Sequence, residues 1–176
     1  MANSFSGTVS VLRASDGYHV MTPTVGSQPV GIAFDGVNIW VTNNWDNTVS
    51  VLRASDGYHV MTPTVGLFPW GLAFDGANMW VTNYGPVGEG NTVSVLRASD
   101  GFHVMTPTVG LNPRGIAFDG ANMWVVNTGS FTASVLRASD GYHIMTPLVG
   151  ASPWGIAFDG AFMWVTDPVR GEVSKH

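Results

Sequence analysis

The chain has no cysteine and one lysine, Lys175, among 176 residues. Without cysteine there is neither a disulfide nor a thiolate metal site. Lysine and arginine number 7 against 12 aspartates and glutamates, for a formal net charge of −5. That balance excludes the basic stripe on which nucleic-acid binding depends. Charged residues make up 11% of the chain, against about 25% in an average globular domain. Much of the surface must therefore consist of Thr, Ser, Asn and Gly, or be covered by neighbouring units. No apolar run approaches the roughly 18 residues of a membrane-spanning helix. Met1–Gly7 lacks the positive start and apolar stretch of a signal peptide, and the compartment stays unknown.

Against these absences stands one repeated unit. Val-Leu-Arg-Ala-Ser-Asp-Gly recurs at 11–17, 51–57, 95–101 and 135–141, with offsets of 40, 44 and 40. The additional residues of the longer spacing fall in the loop around Gly85–Gly90. A period near 40 residues built from short β-patterned runs is the signature of propeller blades. In one unit, Gly31–Phe34 is an apolar run closed by the hairpin signal Asp35-Gly36, and Ile39–Thr42 is β-branched and aromatic. Asn43–Asn47 is a loop, Thr48–Arg53 a third strand, and Ser55-Asp56-Gly57 its turn. Tyr58–Thr62 is the fourth strand, broken by Pro63. These are strands A to D. Strand A reads as covered on both faces, whereas Pro23, Pro63, Pro107 and Pro147 mark strand D as a guarded edge. The expected fold is all-β: a single β-propeller array of four-stranded antiparallel blades spanning residues 1–176. Its units are about 8–47, 48–91, 92–131 and 132–171, with a tail at 172–176.

The run Pro69-Trp-Gly-Leu-Ala-Phe-Asp-Gly-Ala-Asn-Met-Trp-Val-Thr-Asn83 resembles the NHL and YVTN-type β-propeller repeat, and the blades are similar to those of streptogramin B lyases. The resemblance runs through all four units, from Thr8 to about Ser174. It implies the fold but no single activity, because such blades serve lyases, lactonases, peptide binders and scaffolds. The chain opens on strands C (Gly7–Arg13) and D (His19–Val25), with no A or B before them. It closes on A (Gly155–Phe158) and B (Met163–Thr166). In the resembled family, a split blade of this kind locks the ring. The expectation is an eight-bladed homodimer made by exchange of half blades, with a four-bladed monomer and an open chain of swapped halves as the other closures. Glu172-Val-Ser174 competes with Thr8-Val-Ser10 for one strand-C slot, so the tail is expected to be displaced or disordered.

The copies differ mainly in two sets of loops. The D-to-A loops are Ser27–Val30, Leu67–Trp70, Leu111–Arg114 and Ala151–Trp154. The B-to-C loops are Asn43–Asn47, Asn83–Asn91, Asn127–Thr132 and Asp167–Gly171. Antiparallel strands place both sets on one face of the array, which then carries Trp45, Phe68, Trp70, Tyr84, Arg114, Phe131, Trp154 and Arg170. Loops on a rigid scaffold favour binding, and Trp, Tyr and Arg are hot-spot residues. Loop drift, with Trp70 or Trp154 plugging the channel, is the competing reading. A sugar or a peptide is the expected ligand class.

Residues shared by every copy read as structural. His19, His59, His103 and His143 begin the outer strand D, too far from the axis to meet on one metal ion. Asp16, Asp56, Asp100 and Asp140 either pair with the arginine three residues earlier or close their own turns, and Asp35, Asp75, Asp119 and Asp159 close the A-to-B turns. Trp40, Trp80, Trp124 and Trp164 fill the wedge between blades. The loop Tyr84–Gly90 has no lysine and no following helix, so it is not a phosphate loop. The lyase resemblance implies histidine, glutamate and magnesium at a central pocket. The variable face offers only His176, Glu89, Glu172, Asp46 and Asp167, so no catalytic set, metal or cofactor is expected. The expected function is a non-catalytic scaffold or binding module that assembles with itself. A fragment or engineered amplification without its own ligand, and a metal-dependent lyase or hydrolase, are the alternatives.

Overall fold

Runs of four to six β-branched and aromatic residues between Asp, Asn and Gly are too short for helices, and in a computed structural model covering residues 1–176 the chain forms strands alone. The first are β1 (Ala2–Asn3), β2 (Thr8–Val9), β3 (Val11–Leu12) and β4 (His19–Met21). One complete blade follows as β5 (Pro29–Phe34), β6 (Asn38–Asn43), β7 (Thr48–Arg53) and β8 (His59–Met61). A second comprises β9 (Pro69–Phe74), β10 (Asn78–Asn83), β11 (Thr92–Arg97) and β12 (His103–Met105). The third comprises β13 (Pro113–Phe118), β14 (Asn122–Asn127), β15 (Thr132–Arg137) and β16 (His143–Met145). The chain ends in β17 (Ile156–Phe158), β18 (Met163–Asp167) and β19 (Glu172–Lys175). Each complete blade is a four-stranded antiparallel sheet in sequence order. The A strands β5, β9, β13 and β17 pack side by side in chain order.

Three expectations are corrected. The tail is neither displaced nor disordered: β19 pairs with β18 through Thr166↔Val173 and Asp167↔Glu172. An open β18 edge presents unpaired N–H and C=O groups, and the residues after its hairpin satisfy them. At the other end a remnant of strand B is present, for Ala2 pairs with Val9 and Asn3 with Thr8. Asn3 Nδ2 donates to Thr8 Oγ1 and Ser10 Oγ, as Asn43 Nδ2 does to Thr48 and Ser50. Strand A, expected to be covered on both faces, leaves Ile32 39% and Phe34 55% exposed. The matching Ile116 is 8% exposed and packs on Trp80 of the preceding blade, so this position is covered where a complete blade precedes it.

The core is built between blades. Trp40, Val49 and Val51 of one blade pack on Met79, Val81 and Leu96 of the next. Trp80, Val93, Val95 and Val109 then pack on Ile116, Met123, Val125 and Leu136. The blades approach closely because strand A carries glycine at the contact. A Cβ on Gly31, Gly71 or Gly115 would collide with the carbonyl oxygen of Trp70, Arg114 or Trp154, respectively. The Thr42 hydroxyl sits in the same gap, accepting from the Gly31 N–H (2.8 Å) and donating to the Trp70 carbonyl (2.9 Å).

Each A-to-B turn is tied to the core by its aspartate. Asp35 Oδ1 accepts the Val37 and Asn38 N–H groups, and Oδ2 accepts the Trp40 indole N–H at 2.6 Å. The same indole bond joins Trp80 to Asp75, Trp124 to Asp119 and Trp164 to Asp159. Burial pushes the Asp35 and Asp119 carboxyls up, but the donors around each outweigh it and hold both below the ordinary value. For Asp159 the Trp164 indole, followed by the Phe162 and Ala161 amides, lowers the pKa to about 2.

Two outcomes are expected. Gly71→Ala should destabilise the fold by about 1–3 kcal/mol in urea denaturation, as overpacking does; an unchanged midpoint would contradict the close approach. A depressed carboxylate pKa contributes stability above its unfolded value, and that contribution is lost as pH falls. Thermal stability should therefore drop as pH falls from about 3.8 to about 2, and Asp159→Asn should flatten that slope in melts recorded across the window.

Candidate functional site

The residue after the proline that leads into each strand A stands at the loop face, and the packing of the A strands brings its copies together. These residues are Val30, Trp70, Arg114 and Trp154. Three of them, with Tyr84 from a B-to-C loop, form one cluster. The Arg114 guanidinium carbon lies 4.0 Å from the Trp154 ring centroid, 4.8 Å from Trp70 and 4.9 Å from Tyr84. Arg114 Nη2 donates to the Tyr84 hydroxyl at 3.4 Å, and the Trp70 and Tyr84 rings are 5.6 Å apart at 43°. Arg114 Nε and Nη1 are buried with no hydrogen-bond partner. No carboxylate pairs with this cation, whereas Arg13, Arg53, Arg97 and Arg137 each hold the aspartate three residues on.

Tyr84 is held in place by Asn112, a residue the sequence reading passed over. Asn112 is buried; its Nδ2 donates to the carbonyls of Tyr84 (2.9 Å) and Pro86 (3.1 Å), and its Oδ1 accepts the Gly88 N–H (2.8 Å). The longer loop of the second blade is thereby pinned to the next D-to-A loop. The signal was present: Asn112 departs from its copies Gln28, Phe68 and Ser152 in the loop beside the insertion.

The other candidates lie outside this cluster. Trp45 is 67% exposed and borders an open cleft of about 610 Å³ with Phe5, Gln28 and Asp46. Phe68, Phe131 and Arg170 make no ring or cation–ring contact with the cluster. Phe68 and Phe131 adopt left-handed backbone, at φ 50° and 63°, a conformation strained for an aromatic residue. Gly7, Asn47 and Gly171 share that conformation at the position of Phe131.

Of the groups considered for catalysis, Asp46, Asp167 and His176 are already engaged. Asp46 Oδ2 accepts the Ser27 N–H at 2.6 Å, and Asp167 accepts from Ala151, Ser152, Val169 and Arg170. Burial pushes the Asp167 carboxyl up, and those amides pull it below its ordinary value. His176 Nε2 lies 2.8 Å from Ser174 Oγ. The four repeat histidines bond through Nε2 to Thr22, Thr62, Thr106 and Thr146 on the exposed outer strands. No three His, Asp or Glu side chains gather in a metal-binding arrangement. Asp16, Asp56, Asp100 and Asp140 take both roles considered for them, accepting the N–H two residues on and pairing with arginine.

No protein-family model matches the chain, and no curated protein sequence does. Among solved structures, hydrazine synthase from Kuenenia stuttgartiensis superposes with a TM-score of 0.80 at 20% identity, over 94% of this chain and 51% of that one. Virginiamycin B lyase from Staphylococcus aureus gives 0.76 at 17% identity, over 98% of this chain and 64% of that one. The computationally designed Ika8 protein gives 0.79 at 15%, over 97% and 52%. The chain spans about half to two thirds of the length of the structures it matches. These likenesses establish the fold as an array of β-propeller blades and leave its chemistry open.

Because Phe131 occupies backbone suited to glycine, Phe131→Gly is expected to raise stability by about 0.5–1 kcal/mol. Thermal melts of the two proteins check it, and a lower melting temperature would show that the exposed ring packs usefully.

Proposed function

We propose that this chain is a non-catalytic β-propeller module that binds a sugar or peptide at the mouth formed by Trp70, Tyr84, Arg114 and Trp154, and that completes its ring with a second copy. The observation carrying the binding reading is the convergence of these four side chains in an array whose remaining positions largely repeat. Aromatic rings and arginine on a rigid frame are the groups that dominate recognition energies. A non-catalytic role is supported by the engagement of Asp46 and Asp167 with backbone amides, since general acid–base work needs a free proton acceptor within reach of substrate.

The assembly reading rests on the end blades, which expose what interior blades bury. Trp164 and Val173 are 39% and 60% exposed, while Trp40, Trp80, Val49 and Val93 are fully buried. At the opposite end Leu12 is 44% exposed, against 3% for Leu52 and none for Leu96 and Leu136. Gly155 meets no neighbouring blade where Gly31, Gly71 and Gly115 do. Gly17 faces open space where Gly57, Gly101 and Gly141 touch Met21, Met61 and Met105. The two end faces are therefore the two sides of the interior interface, one bearing tryptophan and the other leucine. A second copy offers each end its complement, and such a heterologous contact forms a ring when its rotation closes.

Light scattering should give twice 18.7 kDa for the native chain. Gly155→Ala and Trp164→Arg should shift the mass to that of the single chain without unfolding it. A native mass of 18.7 kDa overturns the assembly. For binding, a glycan and peptide array should return ligands whose signal falls at least tenfold in Trp70→Ala and Trp154→Ala. An array without a Trp-dependent ligand overturns the binding reading, and a stoichiometric divalent metal at the mouth would replace the non-catalytic one.

A further inference from the structure

We infer that the ligand of this mouth carries a carboxylate, as in a uronic-acid sugar, and that Arg114 is the residue that recognises it; the inference rests on the binding reading above. Arg114 replaces the valine or tryptophan of the other copies. It is a cation without a counterion in a chain whose repeat arginines all have one. Its Nε and Nη1 donors are buried and unused, which is unfavourable until an acceptor arrives. Trp70 and Tyr84 also flank the guanidinium, at 4.8 and 4.9 Å, so it stays held when the Trp154 ring moves aside. A carboxylate can take the Nη1–Nη2 edge through two parallel hydrogen bonds, which a neutral hydroxyl cannot match, with Nη2 giving up its 3.4 Å bond to the Tyr84 hydroxyl.

The surroundings select a sugar over an extended peptide. A peptide backbone needs free main-chain partners, and most of those at the mouth are occupied. The Trp70 and Arg114 carbonyls accept from Thr42 and Thr82, the Gly71 N–H donates to Thr82 Oγ1, and the Trp154 N–H donates to the Thr166 carbonyl. What stays open is ring surface. Trp154 is 46% exposed; its outer part offers a platform for the C–H face of a sugar, and an outward swing of the ring uncovers the buried fork. The chain is acidic overall, with a net charge of −5, so long-range attraction does not draw an anion in. Recognition must be local.

The test is calorimetric titration of the full chain with an oligogalacturonate and with its methyl ester, which differs only in the carboxylate. The acid should bind at least tenfold more tightly than the ester, and added salt should weaken the acid alone. Arg114→Gln should abolish the difference between acid and ester. Arg114→Lys should restore part of the preference, and Trp154→Ala should weaken both ligands. Thermal melts verify that each variant is folded. Equal binding of acid and ester with Trp154 dependence overturns the carboxylate assignment and leaves the binding face standing. A preference that survives Arg114→Gln overturns the role of Arg114. Binding only of peptides with a free C-terminal carboxylate overturns the sugar assignment. The absence of any ligand overturns both this inference and the binding reading.

Discussion

Neighbouring blades touch main chain to main chain. The strand-A glycines Gly31, Gly71 and Gly115 leave no room for a side chain against the next blade's carbonyl. Thr42 and Thr82 fill the remaining gap with a hydroxyl that bonds both blades. That spacing lets the tryptophan of one blade reach the methionine, valine and leucine of the next, and so places the core between sheets rather than within one. The junction before Trp154 departs from this pattern, because Val126 stands where the other blades have threonine. The Trp154 carbonyl there has no threonine hydroxyl from the preceding blade.

The same constraint creates the mouth. Strands packed through glycine bring the residues after each proline into adjacency, so any change at that position meets its own copies on either side. Trp70, Arg114 and Trp154 stack for this reason, and Tyr84 joins them because Asn112 ties down the longer loop. Symmetry supplies the frame, and the loss of symmetry at a few positions supplies the chemistry. The repeat histidines show the converse: each is satisfied by a threonine three residues away, and repetition spreads them around the outside.

The blade itself was legible in the sequence. Asp35-Gly36 gave the hairpin and Pro63 the outer strand, because each of these preferences is local. The indole bonds from Trp40 to Asp35 and from its copies were implicit in a constant five-residue spacing, but the role of turn closer masked them. Of the eight candidates of the variable face, Trp70 and Arg114, expected in loops, lie on strands β9 and β13. Which of them meet was not legible, for Trp45 and Phe131 belong to the same loop set as Tyr84 yet stand apart from the cluster.

The ends of the chain show where local preference stops. Glu172-Val-Ser174 carries a strand pattern and Ala2–Asn3 carries none, yet both pair, because pairing depends on which edge is free nearby, a property of the assembled sheets. By itself the sequence determined the blade, its four strands, its turns and the face on which variation collects, since periodicity and turn chemistry act over a few residues. Only the tertiary structure decided that Arg114 lies unpaired within three aromatic rings, that Asn112 holds one of them, and that Trp164 and Leu12 stand uncovered. Each of these depends on contacts between blades, such as that of Asn112 with Tyr84 28 residues away, where no local preference reaches.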